Sequence, residues 1–477
     1  MTGKQDWAAL LRQGEELTWR GQLALVVRFS IPAIVAELTT IAMEYIDAAM
    51  VGSLGGAATA SIGLVSSTTW LINGLCLAAA TGFSVQLAHL VGAGEDVAAR
   101  KLVRQALLVT WLFSLVLSGA AAAISGGLPV WLGGGPDVTG GASRYFLIYA
   151  LALPAGQLRS TAGNLLQCSG NMRTPSLLNA GMCGLDVLFN SLLIFPNRTL
   201  TLGRWTLLIP GAGLGVAGAA LGTALAQAVT AALMLYALCV RSPRLRLTRG
   251  DSWRPERDKL RLAVKYAAPM ALEHIVLCGA QIATTRIVAP LGTVSVAANS
   301  LAVTAEGLCY MPAYGMSGAA TTLVGQSIGA GRGEQARRFA RLTVFLSMAV
   351  MALSGAALYA LAPAVFTVLT ADAAIRELGS RVLRIEALAE PLFGASIVAA
   401  GAMRGAGDTL VPSVMNLASM WGVRITASLL LAPRLGLRGV WIAMCGELCV
   451  RGVLFLARLL RGKWLTRALE QERAGSR

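Results

Sequence analysis

Charge is what this 477-residue chain has least of: 13% of its residues are charged, against roughly 25% in an ordinary soluble domain. Histidine is rarer still, with only His89 and His274. Two histidines so far apart leave little material for an enzyme acting on lipids, which needs a catalytic cluster at an interface. The eight cysteines all lie in apolar stretches, and none has zinc-finger or CxxC spacing. Neither a disulfide framework nor a metal site is indicated, and Cys445 and Cys449, on one helical face, read as small apolar packing. Short runs of alternating hydrophobicity are missing too, which excludes an outer-membrane barrel. Gly92-Ala93-Gly94 and Gly329-Ala330-Gly331 have neither the Lys-Ser/Thr of a phosphate loop nor a strand before them. They read as helix stops with tight turns. No cleavable leader is expected: the first apolar run starts near Phe29, after a polar stretch containing Asp6, Glu15 and Glu16.

Hydrophobic residues, in contrast, make up 55% of the chain. They gather in stretches of about 18 residues or more, long enough to cross ~30 Å of hydrocarbon as helices. Helices are then the remaining way to satisfy the backbone in lipid. The expected fold is an all-α polytopic membrane protein with twelve spans at 29–51, 59–90, 101–124, 142–168, 174–196, 211–240, 262–288, 294–328, 336–361, 374–403, 411–433 and 437–458. The formal charge is +16. It sits in short loops, so it marks topology and not a nucleic-acid partner. Loops 92–105, 171–175, 241–265, 332–341 and 404–409 hold 18 Lys and Arg, and the loops of the opposite set hold six. The first set is expected in the cytoplasm together with both termini, in a bacterial inner membrane.

The chain is also its own near copy. Pro269 repeats Pro32 after 237 places, and the same offset relates Gly94 to Gly331, Arg100 to Arg337, Pro154 to Pro391, Gly170 to Gly407 and Asn179 to Asn416. Near the end of each copy the offset drops to 221, as for Gly215 and Gly436, so the first copy carries sixteen extra residues around Arg198–Pro210. Each copy has an even number of spans, which makes them parallel repeats about an axis along the membrane normal. The domains follow. An amphipathic segment at 1–28, with Trp7 and Trp19 among arginines, lies on the membrane surface. A six-helix bundle spans 29–240, a basic linker 241–261, a second six-helix bundle 262–460, and a tail 461–477.

Ionisable groups inside the spans carry the functional signal, because each costs at least ~2.5 kcal/mol at the bilayer centre. The first span holds Glu37, Glu44 and Asp47, and the fifth holds Asp186 and Asn190 at i, i+4. In the seventh, Glu273 precedes a stripe of His274, Cys278, Gln281 and Thr285. The eighth carries Glu306 and the tenth Glu386 and Glu390, directly before Pro391. Polar groups also glue helices together, for about 0.6 kcal/mol each. That structural role suits Glu386, Arg286 and Glu447 at least as well, and Arg286 and Arg424 are candidates to pair with a carboxylate. A metal bound by Glu273 and His274 is disfavoured, since neighbours in sequence point apart on a helix.

Pro32 to Glu37, Tyr45-Ile-Asp47 and Val51 to Gly55 resemble the opening helix of the multidrug and toxic compound extrusion (MATE) family, bacterial NorM/DinF-like. Pro269 to Glu273, Ala289 to Gly292, Gly325 to Gly331, Arg404 to Thr409 and Gly213 to Gly218 extend the resemblance over residues 25–460. It implies two bundles in a V and a monomeric antiporter that exports organic, often cationic, compounds by alternating access in exchange for H+ or Na+. It implies no further cofactor. Asp47 matches the family's first-helix coupling aspartate, and Asp186 and Asn190 match an Asn-x-x-x-Asp pair with the two side chains exchanged. Where sodium-binding members carry acids in the seventh and tenth helices, this chain has Leu277 and Phe393, with Glu273 and Glu390 about a turn earlier. Glu37, Asp47, Asp186 and Asn190 are thus the expected coupling residues, with sodium possible near Asp47 and Asp186. Glu273, Glu306 and Glu390 are expected at the substrate. The alternatives are a flippase of lipid-linked oligosaccharides from the same wider superfamily, which the excess of intramembrane acids disfavours, and the lipid enzyme.

Overall fold

A computed structural model describes residues 7, 18–202, 205–247, 253–466 and 469. The expected stretches fall on α1 (Trp19–Gly52), α2 (Gly56–Ala93), α3 (Asp96–Ile124), α4 (Pro136–Cys168), α5 (Arg173–Leu193) and α6 (Val216–Tyr236). The second half contributes α7 (Arg257–Val288), α8 (Thr293–Gly329), α9 (Gly333–Leu369), α10 (Ala373–Ala387 and Glu390–Gly405), α11 (Leu410–Leu435) and α12 (Leu437–Arg461). Among the described residues nine of these, all but α4, α8 and α10, are long and apolar enough to cross a membrane. α10 is interrupted at Leu388 and Ala389, just before Pro391, which leaves segments of 15 and 16 residues, whereas the repeat partner Pro154 lies inside an unbroken α4.

The repeat is visible in the backbone. Eight of the eleven glycines of positive φ among the described residues fall in repeat pairs: Gly55 and Gly292 at 108° and 96°, Gly94 and Gly331 at 81° and 70°, Gly170 and Gly407 at 95° and 81°, Gly215 and Gly436 at 55° and 61°. At Gly94 the left-handed residue ends α2, with Glu95 N donating to Leu90 O at 3.0 Å, and Arg332 N to Ser327 O repeats this at 2.8 Å after α8. These are the helix stops expected from the Gly-Ala-Gly pairs.

The sixteen extra residues form an antiparallel hairpin, β1 (Pro196–Leu202) and β2 (Trp205–Ala212). Two expectations need correction. Residues 19–28 do not form a separate surface helix. They run straight into α1, because nothing between Trp19 and Pro32 breaks the helix, and the Thr18 hydroxyl caps its start at 3.3 Å from Gly21 N. The rest of that amphipathic segment, Trp7 excepted, lies outside the described residues. The linker is also shorter than 241–261: α6 continues in a π-helical turn to Arg241, and α7 begins at Arg257.

The inner helices join the halves. In the first half α1 packs on α5, and across the molecule on α8; in the second, α7 packs on α11 and on α2. α2 and α8 cross near their C-termini, where only glycine fits: a Cβ on Gly92 would lie 2.1 Å from Gln326 O, and one on Gly329 2.0 Å from His89 O. Small residues let helices in lipid approach this closely. Further bonds tie the halves at this linker end, from Gln326 Nε2 to Cys168 O (2.5 Å), His89 Nε2 to Gly405 O (2.8 Å) and Gln86 Nε2 to Lys259 O (3.1 Å). Residues 82–88 and 322–328 are buried throughout, whereas the starts of α2 and α8 are largely exposed. The halves close at the linker end and part toward the other.

Candidate functional site

In the first half, α1 and α5 bring three of the expected residues together. Asn190 Nδ2 donates to Asp47 Oδ1 at 2.8 Å and to Asp186 Oδ2 at 2.9 Å. Asp186 and Asn190 are fully buried, one turn apart, and Asp47 is half-buried. Their remaining oxygens, Asp186 Oδ1 and Asn190 Oδ1, are buried without a hydrogen-bond partner among the described residues. Gly222 on α6 makes the seat, since a Cβ there would lie 2.0 Å from Asn190 Oδ1. A buried oxygen with no partner is costly. A proton on Asp186 or a small cation among these oxygens would relieve that cost.

Beside this cluster a cavity of about 310 Å³ is lined by Glu44, Asn73, Tyr149, Gln157, Arg159 and Asn179, among others. Tyr149 OH donates to Asn73 Oδ1 at 2.9 Å, Gln157 Nε2 to Cys76 O at 3.2 Å, and Arg159 Nη1 to Asn179 Oδ1 at 3.2 Å. Glu37, half-buried, lies within electrostatic reach of Arg159. Sequence reasoning missed Arg159, although an arginine inside an apolar stretch is itself a signal.

The second half is organised differently. Glu273 is held by Ser413 Oγ and Asn416 Nδ2, each at 2.6 Å, and by Arg404 at 3.3 Å. His274 faces the other way, with its ring edge-on to Trp70 and pressed against Gly74 of α2. Gln281 is exposed and joins neither group. Glu306, Glu386 and Glu390 lie within electrostatic reach of one another. Glu386 and Glu390 are fully buried, and none of their four carboxyl oxygens has a hydrogen-bond partner among the described residues. Glu447 anchors a network with Ser419 Oγ at 2.5 Å, Arg424 Nη2 at 2.9 Å and Arg451 Nε at 3.0 Å. Arg424 thus finds its carboxylate, while Arg286 makes no ion pair among the described residues. The second-half acids thus have three different sets of partners, linked through Arg424 and Arg451, which lie within electrostatic reach of Glu306 as well as of Glu447. Among the described residues no set of three or more His, Cys, Asp or Glu is arranged to hold a metal ion.

The MatE family model matches residues 32–192 and, a second time, 269–430. The chain belongs to the MATE family. Its relatives include a probable multidrug resistance protein NorM of Thermotoga maritima, 25% identical over 93% of each chain. Another is a NorM of Xanthomonas axonopodis pv. citri, 28% identical over 89% of this chain and 91% of that one. The fold agrees with a crystal structure of MATE in the straight conformation at a TM-score of 0.86 and 20% identity, covering 98% of this chain and 100% of the other. It is a MATE transporter of the NorM-like kind, a multi-pass membrane protein and not an enzyme. The two family matches each take in one acid-bearing first helix, α1 or α7, and the partner helix that packs on it, α5 or α11.

Proposed function

We propose that this MATE protein exports organic, often cationic, compounds by alternating access, in exchange for H+ or Na+. The observation that carries the proposal is the Asp47–Asn190–Asp186 cluster, with two buried, unpartnered oxygens next to a polar cavity. Such a site accepts a proton or sodium from one side and gives it up when the halves rock. The ion then drives the cycle, provided it binds the two states unequally. Glu37 and Glu44 line the approach, while Glu306 and Glu390, expected at the substrate, are buried in this arrangement. Glu273 already has three partners and serves to hold α7 against α10 and α11. The chain crosses a bacterial inner membrane twelve times as a monomer, with both termini and the basic linker in the cytoplasm.

The test is ethidium efflux from cells expressing the protein, with proton and sodium gradients imposed separately on wild type and Asp47→Asn. Gradient-driven efflux that falls at least tenfold in the variant supports the proposal and names the ion. If well-expressed, folded wild type moves no cationic dye under either gradient, the weight passes to the flippase reading.

A further inference from the structure

Where the first helix of each half reaches the third helix of the other, a groove opens at the linker end. The repeat relates the two grooves. One, of about 460 Å³, lies between α3 and α7 and is lined by Glu95, Asp96, Lys101, Gln105, Glu256 and Lys259. The other, of about 640 Å³, lies between α9 and α1 and is lined by Trp19, Gln22, Arg338, Arg341, Leu342 and Phe345. Trp19 occupies the place of Glu256, Gln22 that of Lys259, Arg338 that of Lys101 and Leu342 that of Gln105, all at the offset of 237. The backbone setting is shared and the chemistry is not. The α3–α7 groove sets three carboxylates against two lysines and offers no net positive charge. Among the described residues lining the α9–α1 groove, the charged ones are both arginine.

These arginines retain capacity for a ligand. Among the described residues Arg338 has one acid nearby, Glu334 at 3.7 Å, but their side chains are 44% and 65% exposed, and such pairs are weak. Arg341 Nε is buried with no hydrogen-bond partner among the described residues. Trp19 and Phe345 are 65% and 50% exposed. They stand at the end of a membrane-crossing helix pair, where aromatic rings sit at headgroup level. A guanidinium fork matches a phosphate diester, and basic pockets between membrane helices collect anionic headgroups. We propose that the α9–α1 groove binds an anionic phospholipid, with its phosphate on Arg338 and Arg341 and its glycerol and upper acyl chain against Trp19 and Phe345. Because α1 belongs to one half and α9 to the other, the lipid clasps the halves in the arrangement closed at the linker end.

The experiment measures thermal unfolding of the purified full-length protein in neutral detergent, titrated with phosphatidylglycerol, phosphatidylcholine or inorganic phosphate. Phosphatidylglycerol is expected to raise the unfolding temperature of wild type and of Lys101→Gln/Lys259→Gln. For Arg338→Gln/Arg341→Gln it should act with an affinity weaker by roughly tenfold or more, the loss expected when a charge-assisted hydrogen bond goes. Equal losses in both double variants, or none in the arginine pair, would overturn the proposal. So would equal stabilisation by inorganic phosphate alone. Should the arginine pair fail to fold, Trp19→Ala/Phe345→Ala replaces it. That variant must lose lipid affinity while keeping its lipid-free unfolding temperature, and unchanged affinity there sinks the lipid.

Discussion

Gly222 determines where the Asn190 side chain sits, and through it which oxygens of Asp47 and Asp186 are left over. Gly222→Ala places a methyl where Asn190 Oδ1 now lies, so Asn190 must rotate away from at least one of the two carboxyls. The expected result is folded protein whose dye efflux falls as far as that of Asp47→Asn, measured beside it in the same cells. Glu447 is a different kind of residue. It pairs with Arg424 and Arg451 at once, and Glu447→Gln removes the counter-charge both arginines share in a buried site. Breaking a buried pair costs about 3–5 kcal/mol, so thermal unfolding in detergent should shift down sharply. An unchanged unfolding temperature would show that the network does not hold the second half together. The acids of both groups were legible in the sequence, because a charge in an apolar run stands out by its cost. Their partners were not. Ser413, Asn416 and Arg404 reach Glu273 from two other helices, and the sequence does not say which helix faces which.

At the scale of elements, apolar run length located the helices well, since crossing lipid demands about 20 residues of helix. The break in α10, expected as one span over 374–403, was not legible, since Pro154 holds the matching place in an unbroken α4. The hairpin was not legible, because the sixteen extra residues have no counterpart in the second copy to compare with. It stands between α5 and α6, where Gly213 N donates to Phe195 O and Leu214 N to Leu193 O, each at 2.9 Å. The corresponding turn between α11 and α12 is the single residue Gly436. A short connection is therefore sufficient there. Replacing 197–211 by a short Gly-containing turn should leave dye efflux within about twofold of wild type, since shortening a surface loop changes closure entropy only slightly. Lost efflux from well-folded protein would mean that the hairpin takes part in transport.

Over the whole molecule, the proposed alternating access requires the crossing of α2 and α8 to open. Cys168 reports on it: it is 5% exposed, and Gln326 bonds its carbonyl across the halves. With the other seven cysteines changed to serine, Cys168 should resist a thiol reagent in the resting protein. It should become labelled once Gly329→Leu wedges the crossing apart. Unchanged protection in that variant would mean that something other than the crossing covers the thiol. The paired positive-φ glycines show how far the duplication survives: the turns were kept, while the charged groups diverged. Thr69 and Tyr149, which bond in the first half at 3.0 Å, stand at the offset of 237 from Glu306 and Glu386.

A chain that contains itself twice faces a sorting problem while it is being made. α7 is built like α1 and fits, in outline, the seat that α1 takes beside α5. The first half leaves the ribosome before the second, and domains made first fold first. By the time the copy arrives, the place it resembles is occupied.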